Sequence, residues 1–217
     1  YKAKINLKSL NCDVCGKKKY SLISNKSLLS SKKNKYIKFP YVLCNNCGHA
    51  QQFFRFNKEV YTNYYNKILE ANTDRSNFYS YRLKNSILRG KVLVKFLEKK
   101  LKIKFKNHNI LDIGCGHGGM LHEFYNKGCN VLGVDPDKKT INFSKKKINY
   151  IDLKVSNAEE LNLKKNFYDL IIINGSLEHV QDPNVVIKKV KSFLKDKGYL
   201  FLEGKGYPLD IKENFFN

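Results

Sequence analysis

The chain has 217 residues, 42% of them hydrophobic, enough for one α/β domain and a small accessory module. Its longest apolar run, near Leu170 to Ile173, is strand-sized and far short of the ~18 residues of a membrane span, and no secretory signal opens it. A start at Tyr1 rather than Met is compatible with a removed leader. The formal net charge of +22 invites a nucleic-acid reading, but only four of the 41 basic residues are Arg (Arg55, Arg75, Arg82 and Arg89). Scattered lysines alongside abundant Asn, Ile and Tyr read as a coding bias rather than a phosphate footprint. Nucleic acid is therefore left open but unsupported as a partner, and no membrane partner is expected.

Residues 1–58 read as a separate module. Cys12-x-x-Cys15-Gly16 and Cys44-x-x-Cys47-Gly48 are two knuckles separated by 28 residues. Each brings two thiolates to one side of a tight turn, and the following glycine lets the backbone curl round the ion. Two knuckles make a closed Cys₄ site, so the expected metal is a structural Zn²⁺ holding a module too small for its own core. Paired disulfides are the alternative, disfavoured by the doubled spacing. His49 is expected to flank the site rather than replace a cysteine. Ser21 to Asn34, polar and lysine-rich, reads as a flexible ribbon tip, and Tyr36 to Leu43 as a strand. Zinc ligands and reduced thiols fit a cytoplasmic setting.

Residues 59–108 form a helical connector in this reading. Leu83, Ile87, Val94, Leu97 and Leu101 fall on one face at helical spacing, while Lys84, Lys91, Lys95 and Lys99 cover the others. Upstream, Tyr61, Tyr64, Tyr65 and Tyr79 make an aromatic stretch, read mainly as packing.

Residues 109–217 alternate strand and helix, as a parallel α/β sheet requires. The expected strands are Ile110 to Ile113, Val131 to Val134, Ile151 to Val155, Phe167 to Ile173 and Tyr199 to Leu202. A helix over Met120 to Lys127 ends at Gly128, a second runs from Asp137 to Lys147, and a third opens at Asp182-Pro183 and ends at Gly198. Val186, Val190, Phe193 and Leu194 form the buried face of the third.

The turn after the first strand, Asp112-Ile113-Gly114-Cys115-Gly116-His117-Gly118-Gly119, fits two templates. Gly114, Gly116 and Gly119 match G-x-G-x-x-G, the dinucleotide fingerprint. Asp112, Gly114, Gly116 and Gly118 match an acidic-x-G-x-G-x-G pattern that resembles motif I of class I S-adenosylmethionine-dependent methyltransferases. A carboxylate at the strand tip repels a pyrophosphate and suits a ligand with an ammonium group, so Asp112 favours adenosylmethionine. Asp135, about 20 positions past the glycine turn, can accept both ribose hydroxyls.

The resemblance to class I methyltransferases covers roughly Arg82 to Gly204. Gly133-Val134-Asp135, Asn157-Ala158-Glu159-Glu160-Leu161, Tyr168-Asp169-Leu170-Ile171, Ser176-Leu177-Glu178-His179-Val180 and Lys195-Asp196-Lys197-Gly198-Tyr199-Leu200 follow in the family's order. It implies a Rossmann-like sheet with S-adenosyl-L-methionine across the ends of strands one to three. Asp112 would lie near the ammonium, Gly114, Gly116 and Gly118 would form the turn, and Asp135 would hold the ribose. Asn157 and Ala158 would reach the adenine, with Asn157 standing where the family often has Asp; a plain turn residue is the alternative.

A cysteine ribbon ahead of such a domain resembles the zinc-containing sugar C-methyltransferases, which implies a nucleotide-activated sugar as acceptor. His179 is then the candidate base, with a backbone-bonded helix-entry histidine as its alternative. Glu178 reads as structural or as a cofactor neighbour. Gly175 stands where related enzymes with a catalytic metal have a second Glu, so no catalytic metal is expected. The class I sheet has seven strands, and this chain ends some 15 residues past strand five, so an abbreviated or incomplete sheet is expected. Two further hypotheses belong to other classes: a nicotinamide-dependent sugar oxidoreductase, and an RNA-binding methyltransferase using the ribbon.

Overall fold

A computed structural model describes residues 11–30, 35–52 and 76–204. The chain forms two compact units, Tyr1–Ala71 and Asn72–Asn217.

The first unit contains an antiparallel sheet of β1 (Tyr20–Ser30), β2 (Lys35–Cys44) and β3 (Ala50–Gln52), in that order. β1 pairs with β2 from Tyr20 opposite Cys44 to Ser30 opposite Lys35, with a bulge between Leu22 and Ser24. The stretch read as a flexible tip is thus mostly strand. Its Ser, Asn and Lys have weak strand preference, but pairing with β2 decides. The aromatic stretch at Tyr61, Tyr64 and Tyr65 lies outside the described residues.

The second unit is a three-layer α/β structure. Its five parallel strands are β4 (Asn109–Ile113), β5 (Asn130–Asp135), β6 (Asp152–Val155), β7 (Tyr168–Asn174) and β8 (Leu194–Glu203), in the order β6-β5-β4-β7-β8. Alternate residues of a strand point to opposite faces. Ile110, Leu170 and Ile172 therefore pack on one side with Leu83, Leu93, Val94 and Leu97 of α1 (Ser76–Leu101), Phe124 of α2 (His122–Asn126) and Ile141 of α3 (Lys138–Lys147). Leu111, Ile113, Ile171 and Ile173 pack on the other with Val186, Val190 and Phe193 of α4 (Pro183–Phe193). Burying a sheet on both faces is why its central strands read as continuous apolar runs.

Local chemistry sets the ends of these elements. Asp137 caps α3 by accepting from Lys139 N and Thr140 N, and Asp182 caps α4 from Asn184 N and Val185 N, with Pro183 in the first turn. Gly128 takes φ of +81° just past α2, as an αL helix end demands. Gly198, in contrast, does not end α4. The helix stops at Phe193, Leu194 already belongs to β8, and Gly198 lies inside that strand. The register of β8 against β7 slips between Leu194 and Tyr199, and a Cβ on Gly198 would stand 2.9 Å from the Tyr168 carbonyl oxygen. Glycine serves close approach there.

Candidate functional site

In the ribbon unit the two knuckles are built alike. Gly16 N donates to Cys12 O at 2.9 Å and Gly48 N to Cys44 O at 2.8 Å, and both glycines sit near φ +70° (71° and 72°). The turns converge four sulfurs: Cys12, Cys15, Cys44 and Cys47 place their Sγ atoms within 4.8 Å of one another. The Cys12–Cys47 and Cys15–Cys44 pairs are each 3.5 Å apart. Tetrahedral thiolates at about 2.3 Å from zinc stand just under 4 Å from each other, so the donor set fits that ion. His49 is not a member of the cluster; its carbonyl accepts from Cys44 N. Sequence reading missed Gln51. Buried in β3, it accepts from Asp13 N through Oε1 and donates to Asn11 O through Nε2, tying the first knuckle to the sheet.

In the α/β unit the strand order reverses between β4 and β7, and a crevice opens at such a switch point beyond the carboxyl ends of the strands. Two turns line it. Gly114, Gly116 and Gly118, at φ of +76°, +53° and +67°, form the turn after β4. Gly114 N and Cys115 N both donate to Val134 O, which clamps that turn to β5. The turn after β7 carries Gly175, Ser176 and the short 3₁₀ segment Leu177–His179.

The glycines have different duties. A Cβ on Gly114 would meet the Ser176 side chain at 2.3 Å, and Ser176 Oγ donates to Ile113 O at 2.8 Å. Gly114 thus makes room for the neighbouring turn. Gly118 makes room for Leu153, and Gly119 for α1, where a Cβ would stand 2.9 Å from both Ile87 N and Leu83 O. Gly116 alone of these faces open space within 4 Å. That is the cradle a ligand can enter.

Asp112 lies in β4 on the same face as Ile110, 1% exposed, with Oδ2 lacking any hydrogen-bond partner. Burial drives its carboxyl up to about 7, helped by the negative charge of Asp135 and opposed by Arg89. Asp135, at the end of β5, accepts from Gly116 N through Oδ2 and from Asp137 N through Oδ1, each at 2.8 Å. Burial raises its pKa, and those two N–H groups oppose the rise. The Asp135 bond explains how the glycine turn keeps its shape: the carboxylate fastens Gly116 from the neighbouring strand.

The remaining positions lie round the same rim. Asn157 precedes the 3₁₀ turn Ala158–Glu160 and donates from Nδ2 to Glu160 Oε2 at 3.0 Å; Asn157 and Ala158 are both half-buried. Glu178 and His179 are exposed, and His179 N donates to Ser176 O.

Several roles escaped sequence reading. Glu159 Oε1 accepts from Gln181 N at 2.6 Å, holding the Asn157 segment to the loop before α4. Arg89 on α1 donates to Asn174 Oδ1 at 2.8 Å, beside Glu203 at the end of β8. Arg89 had a faint signal: it is one of four arginines, seven residues from Arg82 and so on the same helical face. His117 packs its ring against Tyr79 and Phe143, with Nε2 buried and unpartnered. Burial, with Arg82 adding to it, takes its pKa down to about 4.

A five-stranded parallel sheet in this order, with a glycine turn at its switch point and a carboxylate closing the next strand, defines a Rossmann-like α/β protein. Residues 84–213 match the methyltransferase domain family, and the chain belongs to it. Among curated relatives, it is 39% identical over 101 residues to the ubiquinone biosynthesis O-methyltransferase of Pelagibacter ubique, covering 45% of this chain and 42% of that protein. The enzyme of the same name from Bartonella tribocorum is 31% identical over 120 residues, covering 53% and 49%. The chain spans about half the length of these relatives. Similar solved structures include an S-adenosylmethionine-dependent methyltransferase from Mesorhizobium loti, with a TM-score of 0.43 and 22% identity over 47% of this chain and 48% of that one. Coclaurine N-methyltransferase, with a TM-score of 0.44 and 17% identity, covers 51% of this chain and 34% of that one. Among the described residues no helix is long and apolar enough to cross a membrane.

Proposed function

We propose that the Asn72–Asn217 unit binds S-adenosyl-L-methionine and serves methyl transfer to a small acceptor. The observation that carries this is Asp112: a buried carboxylate with an unpartnered oxygen, beneath a glycine turn whose one open position is Gly116. Leaving such an oxygen buried is costly unless a donor arrives, and a cationic amino-acid group supplies one where a diphosphate cannot. A positive charge there returns Asp112 to its ionised form. Asp135 keeps further lone pairs on both oxygens for ribose hydroxyls while fastening the turn. Asn157 Oδ1 suits the adenine amino group, with Ala158 alongside. Arg89, at the ends of β7 and β8, suits a carboxylate. When bound, the cofactor supplies an electrophilic methyl group on a sulfonium.

His179, exposed on the turn that follows β7, is the candidate base for removing a proton from the acceptor. A base there serves a hydroxyl or a carbon acid beside a carbonyl. The Cys₄ ribbon supports a nucleotide-activated sugar as acceptor, through its likeness to sugar C-methyltransferases. The names of the curated relatives favour O-methylation in ubiquinone biosynthesis instead. The ribbon's four cysteines take a structural Zn²⁺, and thiolate ligands with free Cys115 and Cys129 suit the cytoplasm.

Equilibrium dialysis of the full chain against adenosylmethionine and against a nicotinamide dinucleotide tests the reading. Saturable retention of adenosylmethionine, weakened about tenfold or more by Asp135→Ala, is expected. Tighter retention of the dinucleotide would remove it.

A further inference from the structure

α1 has two apolar faces. The inner one, with Leu83, Val94 and Leu97, packs on the sheet. The outer one carries Tyr81, Leu88, Val92 and Phe96, exposed at 62%, 58%, 69% and 48%. Steps of seven, four and four residues keep these four on a single stripe, roughly 22 Å long. Exposed lysines Lys84, Lys91 and Lys95 run along one border of the stripe and exposed Arg82 along the other, where Arg89 is engaged instead by Asn174 and Glu203. The only acidic residue of the helix, Glu98, is turned away and held by Lys127 and Lys104. An apolar strip with three lysines along one border, Arg82 on the other and no acidic side chain beside it is complementary to one kind of surface: apolar beneath, anionic above.

We propose that the outer face of α1 is a docking surface for an anionic lipid bilayer, lying flat at the headgroup level. The inner face is already committed to the core, so α1 approaches a membrane as a fixed ridge and need not unfold to do so. Leu88, Val92 and Phe96 enter the acyl boundary, while the lysine stems follow the apolar surface and keep their ammonium groups at the phosphates. A second copy of the chain fits less well, because two such helices bring basic borders together. RNA fits less well too, because the stripe's two rings, Tyr81 and Phe96, stand at its opposite ends with aliphatic Leu88 and Val92 between them, so successive bases have no stacking platform. The inference is independent of the methyl-transfer reading, since α1's outer stripe includes none of the cofactor positions.

The test is co-sedimentation of the full chain with phosphatidylcholine vesicles, with and without about 30 mol % phosphatidylglycerol. Binding to the anionic vesicles is expected to fall about tenfold in the triple variant Leu88→Ser, Val92→Ser, Phe96→Ser, and on raising the salt. Lys84→Glu, Lys91→Glu, Lys95→Glu is expected to lose binding as well. All six side chains are exposed, so circular dichroism should report an unchanged fold, and adenosylmethionine binding should be unaffected. Equal sedimentation of the wild type and the serine triple variant would overturn the proposal, as would no binding to anionic vesicles. Self-association abolished by the serine variant, or RNA binding that survives it and competes with vesicles, would overturn it too.

Discussion

In the Tyr1–Ala71 unit the buried side chains among the described residues are Cys12, Val42, Cys44 and Gln51, whereas the Asn72–Asn217 unit buries apolar rows on both faces of a sheet. Two of the four in the ribbon are metal-ligand candidates and a third is a polar tie between backbone groups. A module this small commonly needs a metal or disulfides for its order, and the four converging cysteines fit the first. The larger unit has a hydrophobic cluster on each face of its sheet. It can therefore keep one carboxylate, Asp112, inside that surface at a cost. If the four cysteines hold zinc, stability in the first unit depends on coordination, and in the second on a core that surrounds one unpartnered carboxylate oxygen.

Stripping the metal should break that comparison if it is wrong, and the expected effect is the largest. Structural zinc sites contribute on the order of 10–16 kcal/mol. A chelator, or Cys44→Ser, should abolish amide protection over Tyr20–Ser30 and Lys35–Cys44 while β4 and β7 keep theirs by hydrogen exchange. Survival of the ribbon's protection without metal would refute the account of that unit. Leu111→Ala, fully buried in the second core, should cost about 2–5 kcal/mol in denaturant unfolding of the α/β unit and leave the bound zinc unchanged.

Gly119→Ala sharpens the contrast inside the second unit. The new Cβ would stand 2.0 Å from Ser86 Oγ and 2.9 Å from Ile87 N, so a loss of about 1–3 kcal/mol is expected. Adding Ser86→Ala should restore only part of it, because the backbone of α1 remains in the way. Full rescue would show that packing there is looser than the structure indicates. Smallest of these, Asp182→Ala removes the cap of α4 and should cost about 1 kcal/mol in the same assay.

Much of the α/β unit was legible because its signals are local. Asp137 and Asp182-Pro183 announce helix starts, Gly128 a helix end, and the apolar runs at Ile110 and Leu170 strands buried on both faces. The Cys-x-x-Cys-Gly repeats announced the sulfur cluster, since that spacing has few other uses. What failed was decided by partners far along the chain. Ser21 to Ser30 looks like loop until β2 lies beside it, and Gly198 looks like a helix end until Tyr168 crowds it. In the candidate site, glycine spacing marked the turn but not the division of labour within it. Gly114 yields to Ser176, 62 residues on, and only Gly116 faces open space. Arg89 carries no motif, and although His117 and Glu159 stand inside motif segments, only the fold shows that His117 packs on Tyr79 and Phe143 and that Glu159 holds the loop before α4.

Asp112 links the two halves of the account, because its raised pKa has consequences for both stability and binding. Between its ordinary 3.8 and about 7 the folded chain holds a proton that the unfolded chain releases. Its contribution therefore lowers stability as pH rises through that window. A cationic ligand reverses the balance by favouring the ionised form. Calorimetric titration of adenosylmethionine into wild type and Asp112→Asn at pH 6 and pH 8 measures this directly, with the ligand's own ionisation common to both proteins. The wild type should bind about tenfold more tightly at pH 8 than at pH 6 relative to the variant, and more tightly than the variant at pH 8. Equal affinities for the two proteins at both pH values would contradict the claim that Asp112 receives the ligand's positive charge.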